Sequence, residues 1–271
     1  MTDDLHRQVC VRKTPERVVS FAPSLTEAVF ALDAGDLLVG RTRRCNYPEA
    51  VTKIREIGSY TRPDIERVIA PRPDLVITTK DGARPEAIER LADLGVPVFI
   101  DDSRSLDDVC HLVMRLGKLL SREAEASRII GDIQQRRHKM SARLGTAQRP
   151  SVLLAVGTRP LVVAGGKSFI GALIREAGGA NVAEYVAFPF PRLSMEEVIT
   201  KDPEIILVLD KECRDTECSD EWRQHQLLQA VRNGRIHPLD ADVMARCSPR
   251  IIEALEQLAR LLHPSLFTGP N

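Results

Sequence analysis

The chain has 271 residues, 43% of them apolar, with 38 basic and 38 acidic side chains, enough apolar material for one large domain or two of about 120 residues. The zero formal charge argues against a broad nucleic-acid surface, which needs a clustered excess of Lys and Arg. No apolar run approaches the roughly 18 residues of a membrane span.

The N-terminal stretch MTDDLHRQVCVRKTPERVVS lacks the apolar core of a secretory signal. The chain is therefore expected to be cytoplasmic, or periplasmic or otherwise extracytoplasmic if a leader has been removed. The six cysteines, Cys10, Cys45, Cys110, Cys213, Cys218 and Cys247, follow no framework spacing, which in a chain this long points to reduced thiols. A Cys213–Cys218 disulfide stays open, since the surrounding loop reads as exposed.

In chain order, Arg17 to Phe21 reads as a short strand. Ser24 and Glu27 then have the spacing of a capping box opening a helix, at a strand end where ligands bind in α/β sheets. Leu37 to Gly40 resumes the sheet, and Arg41 to Pro48 is a basic loop carrying one thiol and one aromatic ring. A helix at Glu66 leads through Pro73 into the strand Leu75 to Thr78. Helix Pro85 to Leu94, strand Val96 to Ile100 and helix Leu106 to Leu120 complete a first lobe. Strands alternating with helices imply mainly parallel pairing.

Ser121 to Leu144 reads as one helix of about six turns. Ala126, Ile129, Ile130, Ile133, Met140 and Leu144 form its apolar stripe. Ser121 is expected to cap it, Glu123 and Glu125 suit its positive end, and Gly145 suits a left-handed stop.

Beyond it come strands Ser151 to Val156 and Leu161 to Ala164, a helix Phe169 to Ala177, and the aromatic, proline-rich loop Tyr185 to Pro191. A helix at Glu196, in which Ser194 and Glu197 can form a capping box, precedes the strand Ile205 to Leu209. After the polar loop Asp210 to Asp220, the pattern predicts a helix over Gln226 to Arg232 and a strand over Arg235 to Leu239. A final helix is read over Ser248 to Leu262, with Pro249 in its first turn.

Three echoes recur in order across the long helix. Glu66 to Ile77 matches Glu196 to Leu207, with Pro203 answering Pro73; Glu27 to Gly35 matches Ala172 to Gly179; and the strand opened by Gly95 matches that opened by Gly234. Such internal repetition implies two similar units. The expected architecture is α/β: two similar α/β lobes with mainly parallel sheets, residues 1–120 and 146–271, joined by one long helix, 121–145, with a ligand cleft between the lobes.

This arrangement resembles the helical-backbone class of substrate-binding proteins of ABC importers, and within it the vitamin B12-binding proteins. The residues that carry the resemblance are Ser20 to Glu27, Val39-Gly40 with Cys45-Asn-Tyr-Pro48, Gly58-Ser-Tyr60, Pro73 to Ile77 and Ser248 to Ile251. The resemblance implies a small-molecule cargo, a corrinoid or a metal chelate, with no resident cofactor and a membrane permease as partner. It implies that Glu66 and Glu196 dock against the permease; each otherwise complements a helix dipole. The chain is expected to be a monomer.

A corrin-sized ligand calls for aromatic and aliphatic walls and a few polar contacts. By resemblance Tyr60 and Phe190 are the aromatic walls and Asp242 a polar contact. The expected ligand-binding set is Ser24, Leu25, Arg44, Tyr60, Lys167, Ser168, Phe190, Asp242, Met244 and Arg246. Arg44 stands where the family often has an aromatic residue, and Val243-Met244 replace another aromatic pair, which favours anionic ligands such as ferric siderophores or haem as the alternative.

Catalytic signatures are weak. Gly165-Gly-Lys-Ser168 lacks the earlier glycine of a phosphate loop, with Leu161 in its place, and is better read as a glycine turn whose helix N-terminus can hold a polar ligand group. Nucleophile-elbow, zincin and dinucleotide fingerprints are missing, so no enzymatic activity is expected. Cys45 reads as a small buried thiol rather than a metal ligand, and His225 and His237 with Cys213 and Cys218 match no standard zinc spacing. A third reading, a cytosolic corrinoid- or metal-handling relative, rests on the missing leader and the cysteines.

Overall fold

A computed structural model describes residues 1–60, 63–82, 84–209 and 222–267. The chain divides into two compact units, Met1–Gln134 with Cys247–Pro249, and Gln135–Arg246 with Arg250–Asn271.

In the first unit, strands β1 (Val18–Ser20), β2 (Leu38–Arg41), β3 (Leu75–Thr79) and β4 (Val98–Asp101) alternate with helices α1 (Pro23–Ala31), α2 (Ile65–Ile69), α3 (Pro85–Asp93) and α4 (Leu106–Leu119). The strands lie in the order β2-β1-β3-β4, all parallel. Strands β1, β3 and β4 are buried along almost their whole length, which explains their continuous apolar runs. One face packs Val19, Phe21, Val76, Val98 and Ile100 against Val68, Ile88 and Leu91.

Helix α5 (Glu123–Leu144) is unbroken, and the boundary between the units falls within it. Its buried positions are Ala126, Ile133 and Met140, a spacing of seven residues that keeps one narrow line turned inward. Gly145 does take the left-handed conformation expected of it.

The second unit holds β5 (Ser151–Thr158), β6 (Leu161–Val163), α6 (Phe169–Glu176), β7 (Ala180–Asn181), α7 (Met195–Lys201), β8 (Ile205–Leu209), α8 (Gln229–Arg232), β9 (Ile236–Leu239), α9 (Ala241–Met244) and α10 (Ile251–Leu262). Its sheet order is β6-β5-β8-β9, with β7 also on β5. Strand β6 is antiparallel to β5 and the other pairings are parallel. In both units the first strand is central: β2 and β7, which follow the echoed helices α1 and α6, pair with it in parallel, and so do β3 and β8, which follow the echoed helices α2 and α7. The echoes of the sequence are therefore repeats of topology.

Several local expectations give way. Ser24 is not a cap: Pro23 occupies the first helical position, Ala22 is the N-cap, and no side chain bonds there. Ser121 does not open the long helix either; it has φ 54° just after α4, and α5 starts at Glu123. Helix α8 begins at Gln229 and α10 at Ile251, so Pro249 precedes the last helix, and the short helix α9 was not anticipated. The Ser194–Glu197 capping box is present in full. Cys213 and Cys218 lie outside the described residues.

Candidate functional site

Parallel strands place their carboxyl ends together, and loops there carry ligand sites in α/β proteins. In the first unit the loops after β2 and β3 meet at such an end. Tyr60 bonds through its hydroxyl to Thr79 Oγ1 at 2.5 Å, the last residue of β3. Its ring lies so close to Gly82 that a Cβ there would stand 2.6 Å from Tyr60 Cε2. Glycine at 82 is thus a condition for the ring's position. Burial pushes the Tyr60 phenol above its usual range, against the hydrogen bond from Thr79, which lowers it, so the ring is neutral at physiological pH.

The other first-unit candidates behave differently. Ser24 is nearly buried and Leu25 wholly so; the Leu25 side chain belongs to the core, which corrects its assignment to a ligand surface. Arg44 is exposed. Its neighbours in the basic loop are engaged: Arg41 Nε donates to Val51 O at 3.0 Å and Arg43 Nε to Glu56 Oε1 at 3.2 Å. Cys45 is buried, with the hydroxyls of Thr26 at 3.1 Å and Thr42 at 3.3 Å from its sulfur.

In the second unit the Gly165–Ser168 turn and the aromatic loop are brought together. Gly165 N donates to Pro189 O at 2.9 Å, and a Cβ on Gly165 would stand 2.6 Å from Phe188 O. The glycines are there for this close approach rather than for a phosphate. Ser168 is buried and caps α6: its hydroxyl donates to Gly165 O at 2.7 Å and accepts from Gly171 N at 2.9 Å. That hydroxyl is used internally, which corrects its assignment as a ligand contact, while Lys167 beside it is exposed. Phe190 is 49% exposed, and Tyr185 and Phe188, in the same loop, are 99% and 70% exposed. Aromatic surface of this extent is uncommon away from binding sites. Attention to Phe190 alone missed its two neighbours, although the run Tyr185 to Phe190 displays all three.

After β9, Asp240 caps α9 by accepting from Asp242 N at 2.7 Å. The Asp242 carboxylate pairs with Arg246 Nη2 at 2.8 Å. Met244, between them, is wholly buried, so its side chain is core, a further correction. Among the described residues no group of His, Cys, Asp or Glu is placed to hold a metal ion; His225 and His237 are among them, whereas Cys213 and Cys218 are not.

Glu66 and Glu196 both lie exposed in the first turn of a short helix, α2 and α7. Asp64 caps α2 by accepting from Glu66 N at 3.1 Å and Arg67 N at 3.3 Å. Glu196 is held below the usual carboxylate range by its own backbone N–H and by the Ser194 hydroxyl.

Sequence reasoning overlooked one polar cluster in the first unit. Asp101, 1% exposed, accepts from Ser103 Oγ at 2.7 Å and lies 3.6 Å from Arg115 Nη2; burial raises its pKa to about 6. Cys247 is close by, and burial pushes its thiol well up, so it is uncharged.

Comparison with known proteins places this geometry in a family. A vitamin B12-binding protein of Vibrio parahaemolyticus is 27% identical over 240 residues, covering 89% of this chain and 86% of the relative. The crystal structure of the periplasmic vitamin B12 binding protein of Vibrio cholerae has the same fold, with a TM-score of 0.82 at 23% identity over 94% of this chain and 99% of that one. The apo periplasmic heme-binding protein of Roseiflexus sp. RS-1 has a TM-score of 0.83 at 28% identity, covering 93% and 99%. The family model for periplasmic binding proteins matches residues 18–243, and the chain belongs to that family.

Proposed function

We propose that this chain is the substrate-binding protein of an ABC importer, that it captures cobalamin or a related corrinoid in the periplasm, and that it delivers this cargo to a membrane permease as a monomer. Its work is binding and hand-over rather than chemical turnover. The observation that carries the reading is the group of three exposed aromatic side chains, Tyr185, Phe188 and Phe190, in a chain whose curated relatives are vitamin B12-binding proteins. A corrin ring is a large, largely apolar plate, and flat aromatic side chains cover such a plate at small entropic cost. Tyr60, held by Thr79 and Gly82, supplies a further wall; Lys167, Arg44 and the Asp242–Arg246 pair supply polar contacts for amide and phosphate groups.

A second reading, haem or a ferric siderophore as the cargo, is favoured by the exposed Arg44 and by the 28% likeness to a heme-binding protein. Titration of the purified protein with cyanocobalamin, followed by absorbance and calorimetry, separates the two. One-to-one binding that is lost in the Tyr60→Ala, Phe190→Ala double variant supports the corrinoid. A folded protein that ignores cyanocobalamin and binds hemin or a ferric siderophore overturns it in favour of the second reading.

A further inference from the structure

The loop from Ala183 to Pro191 carries its three exposed rings on a backbone that is tied down at both ends. Gly166 N donates to Ala183 O at 3.2 Å, Gly165 N to Pro189 O at 2.9 Å and Val163 N to Pro191 O at 3.0 Å. Between these ties Val186 packs against the core of the second unit, so Tyr185, Phe188 and Phe190 stand exposed around an inward anchor. A Cβ on Gly166 would lie 2.2 Å from Glu184 O. Turn and loop are in direct backbone contact.

Two side chains bridge the same two segments. Asn181, the last residue of β7, is buried; its Nδ2 donates to Ala164 O and its Oδ1 accepts from Ala183 N, each at 2.9 Å. Arg175, on α6, donates through Nη1 to Glu184 Oε1 and through Nη2 to Gly166 O, the latter at 3.4 Å. One bridge joins 164 to 183 and the other 166 to 184, with the main-chain bond from Gly166 to Ala183 between them. A buried amide engaged at both ends is costly to uncouple, and an arginine that grips a carboxylate and a carbonyl fixes the spacing between them.

We propose, on the reading of the cargo as a flat corrinoid or haem, that Asn181 and Arg175 are positioning residues for the aromatic loop. They hold it against the Gly165–Ser168 turn before any ligand arrives, so that Tyr185, Phe188 and Phe190 form a platform ready for a flat ring system. Rings on an untethered loop have to be ordered at the moment of binding, and that ordering subtracts from affinity; a loop fixed beforehand avoids the loss. Support from behind the contact residues is what keeps such a site in its working geometry.

The test compares the full chain carrying Asn181→Ala or Arg175→Ala with wild type, by hydrogen exchange and by titration with cyanocobalamin and with hemin. In both variants exchange at the Gly165 and Gly166 amides is expected to accelerate about tenfold. The Ile206 amide, bonded to Arg235 O within the sheet, is expected to stay unchanged. Affinity for the probe that wild type binds should fall about tenfold, and Arg175→Lys, which keeps the pair with Glu184, should recover part of both losses. Unchanged exchange at Gly165 and Gly166 overturns the positioning role, and faster exchange with undiminished affinity overturns its bearing on the cargo. A wild type that binds neither probe refutes the cargo reading instead, and the exchange arm then decides the positioning role alone. Should Asn181→Ala also accelerate Ile206, as global unfolding does, the two Arg175 variants are read by the same criteria.

Discussion

The Ser248 hydroxyl donates to Glu27 Oε2 at 2.7 Å, and both residues are buried within the first unit although 221 residues separate them in the chain. Glu27 is thus an inward-turned carboxylate of α1 and not the capping residue its spacing predicted. Weakening the hydrogen bonding of a buried carboxylate exposes part of its desolvation cost. Ser248→Ala is expected to lower stability by about 1–3 kcal/mol, read as a shift of the urea midpoint with unchanged slope. A shift too small to measure would show that Glu27 does not depend on this bond.

The pKa of Asp101 is raised to about 6 in the folded chain from 3.8, so the folded state binds this proton more tightly than the unfolded state does. The contribution is fully present below about pH 3.8 and is lost as pH rises through about 6, leaving a cost of roughly 3 kcal/mol at neutral pH. Asp4, shifted the opposite way, acts in a different window, losing its contribution as pH falls below the ordinary carboxylate range. Asp101→Asn should therefore flatten the stability profile between pH 4 and 7. Denaturation midpoints of wild type and variant at pH 4.5 and 7.5 check this, and parallel profiles would count against it.

Gly82 and Gly165 are sites where a methyl group has no room, against the Tyr60 ring and against Phe188 O. Side-chain and backbone obstacles yield differently: the ring can swing away, whereas the carbonyl moves only with its loop. Gly82→Ala is expected to cost less than about 1 kcal/mol and Gly165→Ala about 1–3 kcal/mol. Both should weaken cyanocobalamin binding roughly tenfold or more, a loss of about 1.4 kcal/mol, if Tyr60 and the aromatic loop contact the cargo. Thermal melts and calorimetry on the same preparations separate the two effects.

Glu66 and Glu196 are exposed in the first turn of their helices, so Glu66→Lys and Glu196→Lys should each lower stability by about 0.5–1 kcal/mol through loss of a favourable helix-dipole charge. Charge reversal on a docking surface slows encounter and misplaces register. If the chain docks on a permease through these two carboxylates, transport in vesicles containing that permease is expected to fall while cargo affinity stays constant. By contrast, Ser194→Ala removes half of a capping box and should cost about 1 kcal/mol without touching transport beyond that loss.

What the sequence alone determined is whatever depends on neighbours a few residues apart. Burial on both faces makes β3 and β8 continuous apolar runs, the proline before each ends the preceding helix, and the Ser194–Glu197 box closes over three residues. These made the repeated α/β units legible, and with them the family. The half-buried Tyr60 and the exposed Phe190, Glu66 and Glu196 could be singled out as candidates because aromatic or acidic residues in loops and first turns have few local tasks. Only the tertiary structure decided which polar residues turn inward. Glu27 looks like a capping glutamate until Ser248 arrives from the far end of the chain. Asp101 looks like an ordinary strand-ending carboxylate until α4 brings Arg115 over it. Asp4 looks like a residue of a charged tail until β4 offers it an edge. Leu25, Met244 and Ser168 likewise passed for ligand contacts because spacing cannot tell a side chain facing a ligand from one facing the core. The physical reason is common to all of them: hydrophobic periodicity reports the face of an element, whereas the partner that satisfies a buried polar group comes from distant sequence, through packing that no local pattern encodes.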